Sequence, residues 1–151
     1  MSPDQATFYH LGVALAIGLL IGVERGWSER GEQEGTRIAG VRTFALIGLL
    51  GGAAALVAQP LGAWVPGLGL LALGVLLATA HVVHAQVRRD QLGITGPVAG
   101  LLTFVLGALA ASGAVTLAAA AAVVAALLLS SKPALHGWLG TLSREELSAG
   151  L

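Results

Sequence analysis

The placement of the basic residues decides what this chain can fold into. Of its eight Lys and Arg side chains, Arg25, Arg30, Arg37 and Arg42 fall in one connector between apolar stretches. Arg88 and Arg89 fall in another, and Lys132 and Arg144 lie in the C-terminal tail. The intervening connectors, around 59–64 and 112–113, carry none, and neither does the segment ahead of the first apolar stretch. Membrane proteins with short loops collect Lys and Arg on the cytoplasmic side. The alternation therefore predicts an all-α, polytopic membrane helix bundle of five transmembrane helices, with the N-terminus outside and the C-terminus in the cytoplasm.

Composition points the same way. The chain is 56% hydrophobic and 11% charged, against about 25% charged in a soluble domain. The net charge is zero, which gives no long-range attraction to nucleic acid. With no cysteine, disulfides, thiolate metal sites and cysteine nucleophiles are excluded. The N-terminus holds Asp4 and no basic run, so the first apolar stretch reads as a retained span rather than a cleaved signal peptide.

The spans are expected at about 6–23, 41–58, 63–83, 97–111 and 115–130, forming one membrane domain over 1–131. The apolar tract 94–129 would measure about 54 Å as a single helix, while the hydrocarbon core is about 30 Å thick. A break is needed, and Ser112-Gly113 is the best place for it. The two resulting spans are short, which calls for local bilayer thinning or shielding by neighbours. The remaining residues, 132–151, read as a cytoplasmic tail with Trp138 as an interfacial anchor. Ser143 and Glu146 form a capping-box start for a short helix there.

Four features can carry function. First, span one ends in Glu24-Arg25 and span two opens with Arg42-Thr43, so antiparallel neighbours would bring these groups to one depth. Glu24 is then either a cation ligand at an entry mouth, with Arg42 setting its charge state, or half of a salt bridge that fixes helix ends. A carboxylate near the hydrocarbon boundary needs pairing or hydration. Second, Gly18 with Gly22, Gly48 with Gly52, and Gly96 with Gly100 match the small-xxx-small pattern of close helix packing, within a protomer or across a homodimer. Third, His81 and His84 share a helix face. They form a candidate divalent-metal pair with Asp90 nearby, or ordinary histidines at a helix end. Fourth, the hydroxyl residues Thr79, Thr103, Ser112 and Thr116, in or near spans three to five, are not ionisable, and His10, near the outer end of span one, is the proton-relay candidate. No nucleotide-binding, zinc-hydrolase or serine-hydrolase motif occurs, so no enzymatic activity is expected.

The phrase Ala16-Ile17-Gly18-Leu19-Leu20-Ile21-Gly22-Val23-Glu24-Arg25, followed by Ala39-Gly40-Val41-Arg42-Thr43-Phe44-Ala45-Leu46, resembles the MgtC/SapB family of bacterial membrane proteins. There a Gly-rich first span ends in Glu-Arg and the second opens with Gly-(Ile/Leu/Val)-Arg-Thr. The later stretch, Leu92-Gly93-Ile94-Thr95 to Leu101-Leu102-Thr103-Phe104-Val105-Leu106-Gly107, resembles a branch in which this domain precedes a second membrane domain. On that resemblance the chain is a short family member or an N-terminal domain. The resemblance implies a multi-pass protein of the bacterial inner membrane tied to magnesium homeostasis. Glu24, Arg25, Arg42 and Thr43 are the motif residues. It implies a homodimeric cation transporter or channel, with Mg2+ as the transported or regulatory ion and no bound cofactor. The alternative is a regulatory module that moves nothing and binds a partner membrane protein such as an ATP synthase. One departure stands out: the branch carries an acid after the Thr that opens span four, where this chain has Thr95-Gly96-Pro97.

Overall fold

A computed structural model of the chain describes residues 2–28, 39–87 and 93–131. Among them are five α-helices, α1 (Pro3–Ser28), α2 (Val41–Leu61), α3 (Trp64–Val87), α4 (Thr95–Ala111) and α5 (Val115–Ser130), and no strand. The expected tail helix at Ser143, the anchor Trp138, and Arg88 and Asp90 lie outside the described residues.

The first three helices are long and apolar enough to cross a membrane. Their 26, 21 and 24 residues correspond to about 39, 32 and 36 Å. At 17 and 16 residues, α4 and α5 reach about 26 and 24 Å, slightly under the hydrocarbon thickness.

Helix boundaries follow local chemistry rather than hydropathy. The α1 helix begins before its apolar stretch because Ser2 and Gln5 form a reciprocal cap. The Ser2 N–H donates to Gln5 Oε1 at 2.8 Å and the Gln5 N–H to Ser2 Oγ at 3.3 Å. Between them Pro3 occupies the first helical position, where its missing N–H costs nothing. At the other end α1 carries on through Glu24 and Arg25 to Ser28. Pro60 sits in the last turn of α2, and Gly62, at φ +112°, turns the chain into α3. The break between α4 and α5 falls at Ser112-Gly113. Gly113 has φ +96° and donates to Ala110 O at 3.1 Å, and the next residue, Ala114, donates to Leu109 O at 3.2 Å. That pair of bonds closes a helix in a Schellman motif, with glycine in the left-handed position.

The α4 helix is the centre of the bundle and packs against all four other helices. On one side it joins α1 and α5 through Ala14, Ile17, Ile21, Ala99, Leu106, Ala110, Ala118 and Ala122, with Phe44 from α2. On the other, Phe104 packs with Ile47, Leu73 and Leu77. Shielding by four neighbours suits a helix too short to span the hydrocarbon by itself. The outermost helix is α3, which touches α2 and α4. Its exposed Leu68, Leu71, Val75, Leu76, Val82 and Val83 form an apolar surface suited to lipid rather than water.

Glycines set the interhelical spacing. A Cβ built on Gly18 would collide with the Phe44 carbonyl oxygen, and one on Gly48 with that of Ala14. These contacts pair α1 with α2 in antiparallel register. On the other face of α2, a Cβ on Gly51 would collide with Phe104 O, and one on Gly107 of α4 with Gly48 O. Gly48 therefore lies between two backbones. The sequence pattern also named Gly22, Gly52, Gly96 and Gly100. Gly22 lies against Val41, Gly52 against Ala14 and Leu11, and Gly100 against Leu77, whereas beside Gly96 a Cβ would meet nothing within 4 Å.

Candidate functional site

The charged side chains of the described residues divide sharply between the two ends of the bundle. Glu24, Arg25 and Arg42 gather at one end, and Asp4 stands at the other. The end of α1 meets the start of α2 because both Gly22 and Gly26 lie against Val41. A Cβ on Gly22 would sit 2.9 Å from Val41 Cα, and one on Gly26 3.4 Å from Val41 Cγ2.

Glu24 falls three residues after Ile21 and seven after Ile17, so it prolongs the buried stripe of α1 beyond the apolar core. It is half-buried. Ser28, one turn further on, donates its hydroxyl to Glu24 Oε1 at 2.7 Å. The second carboxylate oxygen, Oε2, is shielded from solvent and has no hydrogen-bond partner. Arg25 is half-buried beside it, whereas Arg42 and Thr43 are exposed. Among the described residues no ion pair joins Glu24 to Arg42. The reason lies in the pitch of α2, whose face toward α1 runs Val41, Ala45, Gly48 and Gly52. Arg42, one residue on from Val41, is turned about 100° away at 3.6 residues per turn. The motif residues thus share an end without forming one cluster. Glu24 is the member turned inward.

His81 and His84 stand near the same end, on α3, and both are half-buried. Among the described residues no group of three or more His, Cys, Asp or Glu is placed to hold a metal ion. His10 lies at the opposite end, tilted against Tyr9 with ring centroids 5.8 Å apart and beside Gly113.

Between the two ends the interior is apolar. Thr103 is the one buried polar side chain of the described residues, and its hydroxyl donates to Ala99 O at 2.7 Å. Thr79 likewise donates to Val75 O at 2.8 Å. Both hydroxyls are satisfied within their own helices.

Three residues that belong in this description were missed by the sequence reading. Ser28 was legible as a position four residues beyond Glu24. Gly107 was legible as one heptad beyond Gly100. Gly51 gave no separate signal, because its neighbour Gly52 already filled the small-xxx-small pattern.

Among proteins of known character, no curated protein and no solved structure matches the chain. A family model does match: the MgtC family, over residues 11–138. That stretch takes in the motif residues at the ends of α1 and α2 and all five helices but the first turns of α1. With the apolar exterior and the three helices long enough to cross a bilayer, it identifies the chain as a membrane protein belonging to the MgtC family.

Proposed function

We propose that this protein is a non-conducting regulatory module of the bacterial cytoplasmic membrane, acting by contact with a partner membrane protein. In this reading all five helices cross the bilayer, with the Arg25 and Arg42 end in the cytoplasm and the start of α1 outside. The positive-inside rule and the location of both described arginines at one end support that orientation.

The observation that carries the reading is the approach of the α1, α2 and α4 backbones around Gly48. A hydrated cation path needs polar groups or room for water at mid-membrane depth. Here carbonyls of neighbouring helices lie against glycine Cα atoms, and the surrounding side chains are Ala, Ile, Leu and Phe. Such a bundle is built to hold a shape rather than to pass an ion.

Divalent flux into liposomes loaded with the purified protein tests this directly. The expected flux equals that of empty vesicles. Crosslinking in native membranes is then expected to trap a hetero-complex. Flux above background that disappears in Glu24→Ala would overturn the proposal.

A second reading, transport of a Mg2+-type cation, is favoured by the unpartnered Oε2 of Glu24, an oxygen acceptor suited to a hard cation. Given the close packing inside the bundle, its path would run between two copies of a homodimer. Flux in the liposome assay that depends on both Glu24 and the dimer would establish it.

A further inference from the structure

The α3 and α4 helices run antiparallel in a steady register. A Cβ on Gly69 would lie 3.0 Å from the Phe104 ring, one on Gly74 3.7 Å from Leu101 Cδ2, and one on Gly100 2.8 Å from Leu77 Cδ1. One helical turn further along each, His81 comes opposite Gly96. Beside Gly96 a Cβ would meet nothing within 4 Å, which leaves a notch at that position.

The inward face of α3 continues into this notch. Leu73 and Leu77 are buried, and His81 and His84 follow them as half-buried residues. Nδ1 of His81 is shielded from solvent and has no hydrogen-bond partner. A shielded polar nitrogen is costly to leave unpaired, and an imidazole nitrogen is a metal ligand as readily as a hydrogen-bonding group.

We propose that His81 and His84 bind one divalent transition-metal ion of the Zn2+, Ni2+, Co2+ class, with water completing its coordination. Residues three apart on a helix have Cβ atoms about 5–6 Å apart. Two imidazoles at that separation can reach one ion at the usual nitrogen–metal distance of about 2.0–2.1 Å. The open flank of Gly96 gives the ion and its water room. Imidazole selects this class of metal, whereas Mg2+ prefers oxygen ligands. The site therefore lies near the Glu24 end but on another helix, and it takes another class of ion. A bound ion would brace the end of α3, which packs against α2 and α4 alone among the described helices.

Co2+ titration of the purified full chain in detergent, read by visible d–d absorption, tests the proposal. Saturable binding of a single ion per chain is expected, displaced by Zn2+ and indifferent to a roughly hundredfold excess of Mg2+. His81→Ala and His84→Ala are each expected to abolish it, and Glu24→Ala to leave it unchanged. Gly96→Leu keeps both imidazoles and fills the notch, so it is expected to weaken binding by about 10–100-fold with helix content intact by circular dichroism. The proposal is overturned if the native protein shows no saturable absorption. It also falls if Mg2+ displaces the Co2+, or if folded His81→Ala and Gly96→Leu bind as the native protein does. None of these outcomes bears on ion flux, so the site and the regulatory reading stand or fall separately.

Discussion

Gly48 is touched by two helices at once: a Cβ there would strike Ala14 O of α1, and its own carbonyl oxygen blocks a Cβ on Gly107 of α4. Overpacking a tight core costs about 1–3 kcal/mol. Gly107→Ala and Gly51→Ala are each expected to lose at least that much stability, measured by thermal unfolding in detergent. Gly12→Ala has open space beside it and is expected to be neutral or to gain about 0.5–1 kcal/mol from helix propensity. Equal loss at Gly12 and Gly107 would contradict the packing described. At this scale the sequence was a partial guide. The small-xxx-small spacing picks out residues on one face of one helix. It carries no information about which neighbour lies opposite, which is why Gly96 fitted the pattern while having nothing beside it. Glu24 and Arg42 show the same limit. Their shared depth could be read from the connector, whereas the rotation of α2 that turns Arg42 outward depends on how Val41 seats against Gly22.

Whole helices were more legible than residues, because charge and apolar length act over whole segments. That the long apolar tract must divide followed from its length, the Ser112-Gly113 pair marked the place, and the Schellman closure gives it a physical basis. Gly113→Ala would place a side chain at φ +96°, at a cost of about 1–2 kcal/mol, and is expected to lower the unfolding temperature. The true starts and ends were harder to read, since hydropathy does not register a capping box such as Ser2 with Gln5, nor a helix that outlasts its apolar stretch. Orientation of the helices is directly testable. The chain has no cysteine, so single cysteines at Ser2, Ser112, Ser28 and Ser130 can be labelled with an impermeant reagent. Ser2 and Ser112 are expected to react from outside the cell, and Ser28 and Ser130 only after the membrane is opened. Reaction of Ser112 and Ser130 from the same side would remove the fifth crossing.

For the molecule as a whole, function was less legible than fold. The motif at the ends of α1 and α2 was enough to recognise the family. The choice between moving an ion and contacting a partner depends on what fills the middle of the bundle, and the sequence shows only residue types there. Many small residues are compatible with a water-lined path or with backbones in contact, and contact is what the helices make. The central place of α4 has a consequence for synthesis. Chains enter the membrane from the N-terminus, so α1, α2 and α3 arrive before the helix that unites them. Until α4 is made, Phe44, Ile47 and Leu77 lack the α4 side of their packing, and α3 has α2 alone to lean on. A product ended after Val87 is therefore expected to be cleared by cellular proteases. One extended through Ala111 is expected to persist, as pulse-chase labelling would record.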